Sequence, residues 1–236
     1  MIDWIAFDAD DTLWHNERVY REGRNRFRDL LAKYDLEGDL DQQFNTIEIR
    51  NLKYYGYGVM SFVLSQIEAA IQLTGGEISA GDIQSLIELS KEMLSTNVVL
   101  FEHSQRLVEN LSADFPLMLI TKGDLAHQQR KVEESGLEPH FKSIEVVSEK
   151  TTAVYEQILD EHRIPPSRFL MVGNSIRSDI RPVLELGGWA IHVAPHLSWD
   201  HEGGEISSRL ANRFRAVDDL EDVIPVVRKL AAEPPD

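Results

Sequence analysis

Three carboxylates crowd into four positions at Asp8-Ala9-Asp10-Asp11, directly after the apolar run 2–7. Like charges at the end of an apolar strand repel one another and lose hydration, which costs stability unless a cation offsets them. The arrangement therefore points to a bound metal. Asp8 and Asp10 are two apart, so strand-like geometry projects both to one side. A plainer reading stands beside this one, in which Asp10 and Asp11 cap a turn. Further along, the apolar run 116–120 leads into Thr121-Lys122-Gly123-Asp124, and 144–147 into Ser148-Glu149-Lys150. The run 169–172 leads into Gly173-Asn174-Ser175, with Asp179 five residues past Asn174. Each of these also has an ordinary role: Thr121 and Ser175 as helix caps, Lys150 as a solvated amine, Asp179 as a first-turn helix acid. Four such exits together are harder to explain that way, because ligands of open parallel sheets bind beyond the carboxyl ends of the strands.

The elements that must position these residues follow from periodicity. The run 2–7 reads as a strand, and from 17 to 95 only helices are expected, over 17–34, 39–53, 59–74 and 79–95. The first has Val19, Phe27, Leu30, Leu31 and Tyr34 facing inward; the last opens on a Ser79-x-x-Asp82 capping signal. In the third, Met60, Val63, Leu64, Ile67 and Ile71 are expected to form the buried face. After residue 98, apolar runs at 116–120, 144–147, 169–172 and 189–193 alternate with helical stretches near 103–112, 124–135, 152–162, 176–186 and 219–231. This alternation predicts an α/β fold, a Rossmann-like parallel sheet covered by helices. The first strand has no neighbour in sequence and is expected to join that sheet. Residues 1–14 and 98–236 then form the core, and 15–97 an inserted α-helical bundle, or cap domain. The tail from Glu233 to Asp236 reads as loose.

Composition narrows the chemistry. The 236 residues contain no Cys, which excludes disulfides, thiolate metal sites and a thiol nucleophile. Asp and Glu exceed Lys and Arg by 40 to 24, a net charge of −16, so nucleic acid and anionic membrane are not expected partners. The segment 1–7 lacks a basic leader, and the cytoplasm is the expected location. His192, His196 and His201 lack a zinc-like spacing with nearby acids.

Asp8-x-Asp10-x-Thr12, Thr121, Lys150 and Gly173-Asn174-x-x-x-x-Asp179 resemble, in order, the four motifs of the haloacid dehalogenase (HAD) superfamily phosphohydrolases with a helical cap after the first motif. The stretch from Phe7 to Leu13 is also similar to that of bacterial nucleoside monophosphatases in this superfamily. The resemblance implies a five-stranded parallel core and a Mg²⁺-dependent aspartyl-phosphate mechanism. By the same resemblance Asp8 is the nucleophile, and Asp10 the general acid and base, with its backbone carbonyl toward the metal. Thr121 and the amides of Lys122 and Gly123 bind phosphoryl oxygens. Lys150 neutralises charge shared by Asp8 and the phosphoryl group, Thr12 orders the motif loop, and Asn174 and Asp179 complete the Mg²⁺ site with Asp8 and Asp10.

The chain departs from that pattern in four places. Lys122 stands where Asn is frequent, Asp11 where Gly is common, Asn174 where Asp is usual, and Thr151 where Pro often follows the lysine. Lys122 is read either as reaching substrate or as pointing to solvent. The insert is expected to close over the site and set specificity. Its basic run, Arg18, Arg21, Arg24, Arg26 and Arg28, reads mostly as a solvated face paired with Glu17, Glu22 and Asp29, with Arg18 or Arg21 touching substrate as the alternative. Trp14, His15 and the turn Tyr54-Tyr55-Gly56-Tyr57-Gly58 offer either stacking or interdomain packing. The expected function is hydrolysis of a small phosphorylated metabolite. A nucleoside monophosphate, phosphoglycolate or a sugar phosphate are the candidate substrates. A 2-haloacid dehalogenase, a phosphomutase or a catalytically silent binding protein are the alternatives.

Overall fold

The structure, a computed structural model, describes residues 2–194 and 199–232. Strand β1 (Trp4–Phe7) is followed by four helices, α1 (Glu17–Leu31), α2 (Leu40–Tyr55), α3 (Val59–Leu73) and α4 (Ala80–Leu94). Then come α5 (Ser104–Ser112), β2 (Leu117–Lys122), α6 (Leu125–Ser135), β3 (Phe141–Val147), α7 (Thr152–Glu161), β4 (Phe169–Gly173), α8 (Arg181–Glu185), β5 (Trp189–Val193), β6 (Phe214–Val217) and α9 (Val223–Ala232). The tail 233–236 and His196 lie outside the described residues.

All strands are parallel in the order β3-β2-β1-β4-β5-β6. Ile5 of β1 pairs with Leu117 on one side and Leu170 on the other, so β1 lies between two runs of strands that propagate in opposite directions. Its carboxyl end is therefore at the switch point where open sheets form a crevice. Alternation along the strands supplies two faces. Ile5, Phe7, Leu119 and Val172 pack with Leu107, Leu111, Val223 and Val227 on one side. Ala6, Met118, Ile120 and Met171 pack with Tyr155, Ile158 and Leu159 on the other. The sheet has six strands rather than the five that the resemblance implies. The extra one, β6, is an edge strand of four residues in which only Val217 is buried.

Helices α1 to α4 enclose a separate cluster built on Phe27, Leu31, Phe44, Ile47, Phe62, Leu86 and Leu89. Asp39 caps α2 through the Gln42 amide, and Ser79 caps α4 through the Asp82 amide while donating to Asp82 Oδ2 at 2.7 Å. One expected face is corrected. Met60, Leu64 and Ile71 are 46, 42 and 45% exposed, whereas Val59, Phe62, Val63, Gln66, Ala69 and Ala70 are buried. Apolar side chains surround α3, and close helix approach selects the face with small residues; Gly23 of α1 leaves no room for a Cβ against Phe62. The two chain segments joining the insert to the sheet run side by side, with His15 N on Val99 O and Phe101 N on Leu13 O, both at 3.0 Å.

Candidate active site

Asp8 leaves β1 into a tight turn in which Ala9 O accepts from the amides of Thr12, Leu13 and Trp14. Asp11 in that turn has φ +61°, a left-handed conformation that accounts for the frequent Gly here and that Asp tolerates better than most residues. Its carboxylate accepts from the Asn16 and Glu17 amides, so the capping role foreseen for Asp11 is filled at the start of α1. Asp8 is buried, with Thr12 Oγ1 donating to Oδ2 at 2.8 Å and Lys150 Nζ to Oδ1 at 2.6 Å. Lys150 also donates to Asp179 Oδ1 at 2.7 Å. Burial and the neighbouring charge of Asp179 outweigh Lys150 and push the Asp8 carboxyl up to about 7. For Lys150, burial works against the charge, but Asp179 and Asp8 prevail and raise its pKa, so it is an ammonium. The solvated-amine reading of Lys150 is thereby excluded. Thr151, in place of Pro, caps α7 through the Val154 amide.

Asp10 sits in different company. Lys131 Nζ donates to its two oxygens at 2.5 and 2.7 Å, Trp14 Nε1 at 2.6 Å and Gln128 Nε2 at 3.1 Å. Burial favours the neutral acid, yet Lys131 and these hydrogen bonds win and hold the Asp10 pKa below its usual value. Gln128 also donates to Thr121 Oγ1 at 2.5 Å, tying the end of β2 to Asp10. Thr121 is thus a strand residue rather than a helix cap.

At the β2 exit both Lys122 and Gly123 are engaged within the protein. Lys122 neither points to solvent nor extends freely into the cavity: its ammonium donates to Glu202 at 2.6 Å and Ser178 at 2.9 Å, and lies 3.9 Å from the Tyr57 ring centroid. The Gly123 amide continues the strand pairing to Val147 O at 3.3 Å. Burial pushes Glu202 up, but Lys122 and the hydroxyls of Ser175 and Ser178 bring it down to about 2.

The β4 exit supplies Asn174, whose Oδ1 accepts from Thr12 Oγ1 at 3.3 Å. A π-helical turn over Ile176–Ile180, capped by Ser175, carries Asp179 back under the strand end. Asp179 Oδ2 accepts from the Ser175 amide at 2.9 Å, and a Cβ on Gly173 would lie 2.4 Å from it, so the strand must end in glycine. Asp8, Asp10, Thr121, Lys122, Gly123, Lys150, Asn174 and Asp179 all line one cavity between the strand ends and the insert. His192 is engaged with Asn174 O, and His201 with Arg177.

Among the described residues no three Asp, Glu, His or Cys side chains already form a metal cage. The donor set nevertheless fits a hard divalent cation. Asp8 Oδ2 and Asn174 Oδ1 are both within reach of one Thr12 hydroxyl, all donors are oxygens, and the two buried acids Asp8 and Asp179 share the single ammonium of Lys150.

Sequence reasoning missed Gln128 and Lys131, although their i, i+3 spacing right after the β2 motif places both on the face of α6 nearest Asp10. It also missed Glu202. The basic run of α1 makes cross-helix pairs instead of the expected local ones: Arg24 with Glu48, Arg26 with Glu92 and Arg28 with Asp41. Of these arginines it is Arg24 that lines the cavity. Trp14 is buried on Asp10, His15 packs on Phe101, and Tyr54 and Tyr55 are exposed, leaving Tyr57 at the cavity.

The family model described as haloacid dehalogenase-like hydrolase matches residues 2–187. The chain belongs to this family of hydrolases. A haloacid dehalogenase-like family hydrolase from Xanthomonas campestris is 40% identical, with a TM-score of 0.86 over 97% of this chain and 91% of that one. Rat N-acylneuraminate-9-phosphatase is 25% identical over 197 residues, 78% of either chain. HAD-hydrolase YfnB from Bacillus subtilis, in a structure described as bound to magnesium, shares the fold at 18% identity, with a TM-score of 0.67 over 96% of this chain and 99% of that one. No helix among the described residues is long and apolar enough to cross a membrane.

Proposed function

We propose that this hydrolase is a Mg²⁺-dependent phosphatase acting on a small phosphomonoester through an aspartyl-phosphate on Asp8. The observation that carries the reading is a second carboxylate, Asp10, held in the same cavity as Asp8 by three side-chain donors. A 2-haloacid dehalogenase forms an ester with no leaving-group acid, so Asp10 would be idle in it. The phosphatase named among the relatives and the magnesium in one structural neighbour agree with the proposal.

Asp8 attacks phosphorus, the bond to the leaving oxygen breaks, and that oxygen takes a proton from Asp10. Water then attacks phosphorus, the bond to Asp8 breaks, and the water proton returns to Asp10. Lys150 stabilises charge shared by Asp8 and the phosphoryl group, with Thr121 at the phosphoryl oxygens. Asp8, Asn174, Asp179 and the Asp10 carbonyl would hold Mg²⁺, which when bound offsets the charge of Asp8 and phosphate. Burial and Asp179 raise the Asp8 carboxyl and Lys131 holds Asp10 low, whereas the reaction needs Asp8 ionised and Asp10 protonated. A cation beside Asp8 and a phosphate dianion beside Asp10 correct both. Asp8→Asn should abolish phosphate release while leaving the melting temperature equal or higher, because a buried acid with raised proton affinity is removed. Near-normal turnover in the folded variant would sink the mechanism.

A further inference from the structure

Beside the strand motifs, the cavity is lined by residues of the insert. There Arg24 donates to Glu48 Oε2 at 2.9 Å, with both side chains largely buried. The guanidinium is fixed by aromatic rings, 5.2 Å from the centroids of Phe44 and Phe62 and 6.0 Å from that of Trp199. From α3, Ser61 lines the same cavity, and its Oγ is buried with no hydrogen-bond partner. An unpaired buried hydroxyl is costly, so such a group in a cavity wall marks a place where a ligand completes the bonding.

Charge decides what that ligand is. Among the described residues lining the cavity, the cations are Arg24, Lys122 and Lys150, and each is already ion-paired: with Glu48, with Glu202, and with Asp8 and Asp179. Glu17 adds a further carboxyl beside Arg24 and Glu48. An anionic group on the leaving side would find no unpaired cation and would face two carboxyls. Hydroxyls, by contrast, find acceptors in Glu48 and Glu17 and donors in Arg24 and Ser61. Resting on the phosphatase reading above, we propose that Arg24, Glu48, Ser61 and Glu17 form a leaving-group subsite for an uncharged, hydroxyl-bearing sugar or polyol, and that it discriminates against leaving groups carrying a carboxylate. Phosphoglycolate and acidic sugar phosphates are then poor substrates, although a relative is named for one of the latter.

The test uses matched pairs that differ in a carboxylate: glucose 6-phosphate against 6-phosphogluconate, and glycerol 3-phosphate against 3-phosphoglycerate. Hydrolysis of 4-nitrophenyl phosphate with Mg²⁺ is the reference. The expected result is a kcat/KM ratio of about tenfold or more in favour of the uncharged member of each pair. Where turnover is slow, the same ratio is read from inhibition constants against the aryl phosphate. Glu48→Gln releases Arg24 and should move both ratios toward the carboxylate by about tenfold, whereas Ser61→Ala should lower kcat/KM for the uncharged members. If Glu48→Gln fails to fold, the wild-type ratios alone decide. A ratio of one or below in either pair, with the aryl phosphate hydrolysed, overturns the subsite and leaves the phosphatase reading standing. No hydrolysis of any phosphate overturns the phosphatase reading, and the subsite with it.

Discussion

Replacing Lys150 by Met removes a charge while keeping most of the apolar stem, and the structure fixes what is left behind. The ammonium sits 2.6 Å from Asp8 and 2.7 Å from Asp179, with 1% of the Lys150 side chain, 8% of Asp8 and 1% of Asp179 exposed. Removing one partner of a buried ion pair costs about 3–5 kcal/mol because the remaining charge has neither water nor partner. At roughly 2–4 °C per kcal/mol for a chain of this size, Lys150→Met should melt about 6–20 °C lower at alkaline pH in a chelator. The pH dependence has a definite sign. In the wild type, the Asp8 carboxyl, raised to about 7 from 3.8, gives stability that is full below 3.8 and lost as pH rises through 7. Without Lys150 that loss extends further upward, so the gap between the proteins is widest at high pH and narrows on acidification. The assay is thermal unfolding from about pH 5 to pH 8, with Lys150→Met/Asp179→Asn as a second variant that discards the excess charge and recovers part of the loss. A shift under about 2 °C at pH 8, or a gap independent of pH, would refute the reasoning.

Asp10→Asn should slow hydrolysis of alkyl phosphates by roughly 10²–10⁴-fold and of nitrophenyl phosphate far less, since a good leaving group needs little acid help; equal losses in kcat contradict the role given to Asp10. Asn174→Asp should lower the Mg²⁺ concentration for half-maximal rate and Asn174→Ala raise it, with Asp179→Ala raising it further and also lowering the melting temperature because the buried Ser175 amide loses its acceptor. In Glu17, burial, Asp11 and Glu48 overcome Arg24 and Arg21 and push the carboxyl up to about 7 from 4.5, so its contribution to stability is full below 4.5 and lost as pH climbs through 7. Glu17→Gln should therefore gain on the wild type with rising pH, by on the order of 1 kcal/mol after solvent screening, and parallel melting curves across that range would count against it.

Most elements could be read from period and punctuation because each is long or bounded by a motif. Helices α1 to α4 follow a 3.6-residue pattern, and the runs that became β1, β2, β4 and β5 are almost wholly buried. Strand β6 escaped because it is short, contains Arg215, and lies at an edge where one side of its ladder needs no partner. The face of α3 escaped for a different reason. Its apolar residues encircle the helix, so which ones are covered depends on how α2 and α4 pack against it and on the room that Gly23 leaves for Phe62, rather than on the large side chains that dominate the pattern.

The motif residues were legible because strand exits converge whatever the details of packing, while their controllers were not. Lys131 and Gln128 reach Asp10 from a helix face, Glu202 reaches Lys122 from a distant loop, and Arg24 reaches the cavity from the insert; each orientation is a product of tertiary packing. Two further acids show how closely insert and motifs are joined. Asp11, in the first motif, binds the amides that open α1. Asp124, just past the β2 motif, accepts from the Met60 amide at 3.3 Å at the start of α3, against Gly58, where a Cβ would lie 2.3 Å from its carboxylate. Each carboxylate sits at the positive end of an insert helix, where a negative charge is favourable. Both helices line the leaving-group end of the cavity through Arg24 and Ser61. Displacing either motif loop therefore shifts the groups that grip the leaving side along with those that attack phosphorus, which gives a chain with acids at consecutive positions a physical reason to keep Asp11 where glycine would satisfy the turn.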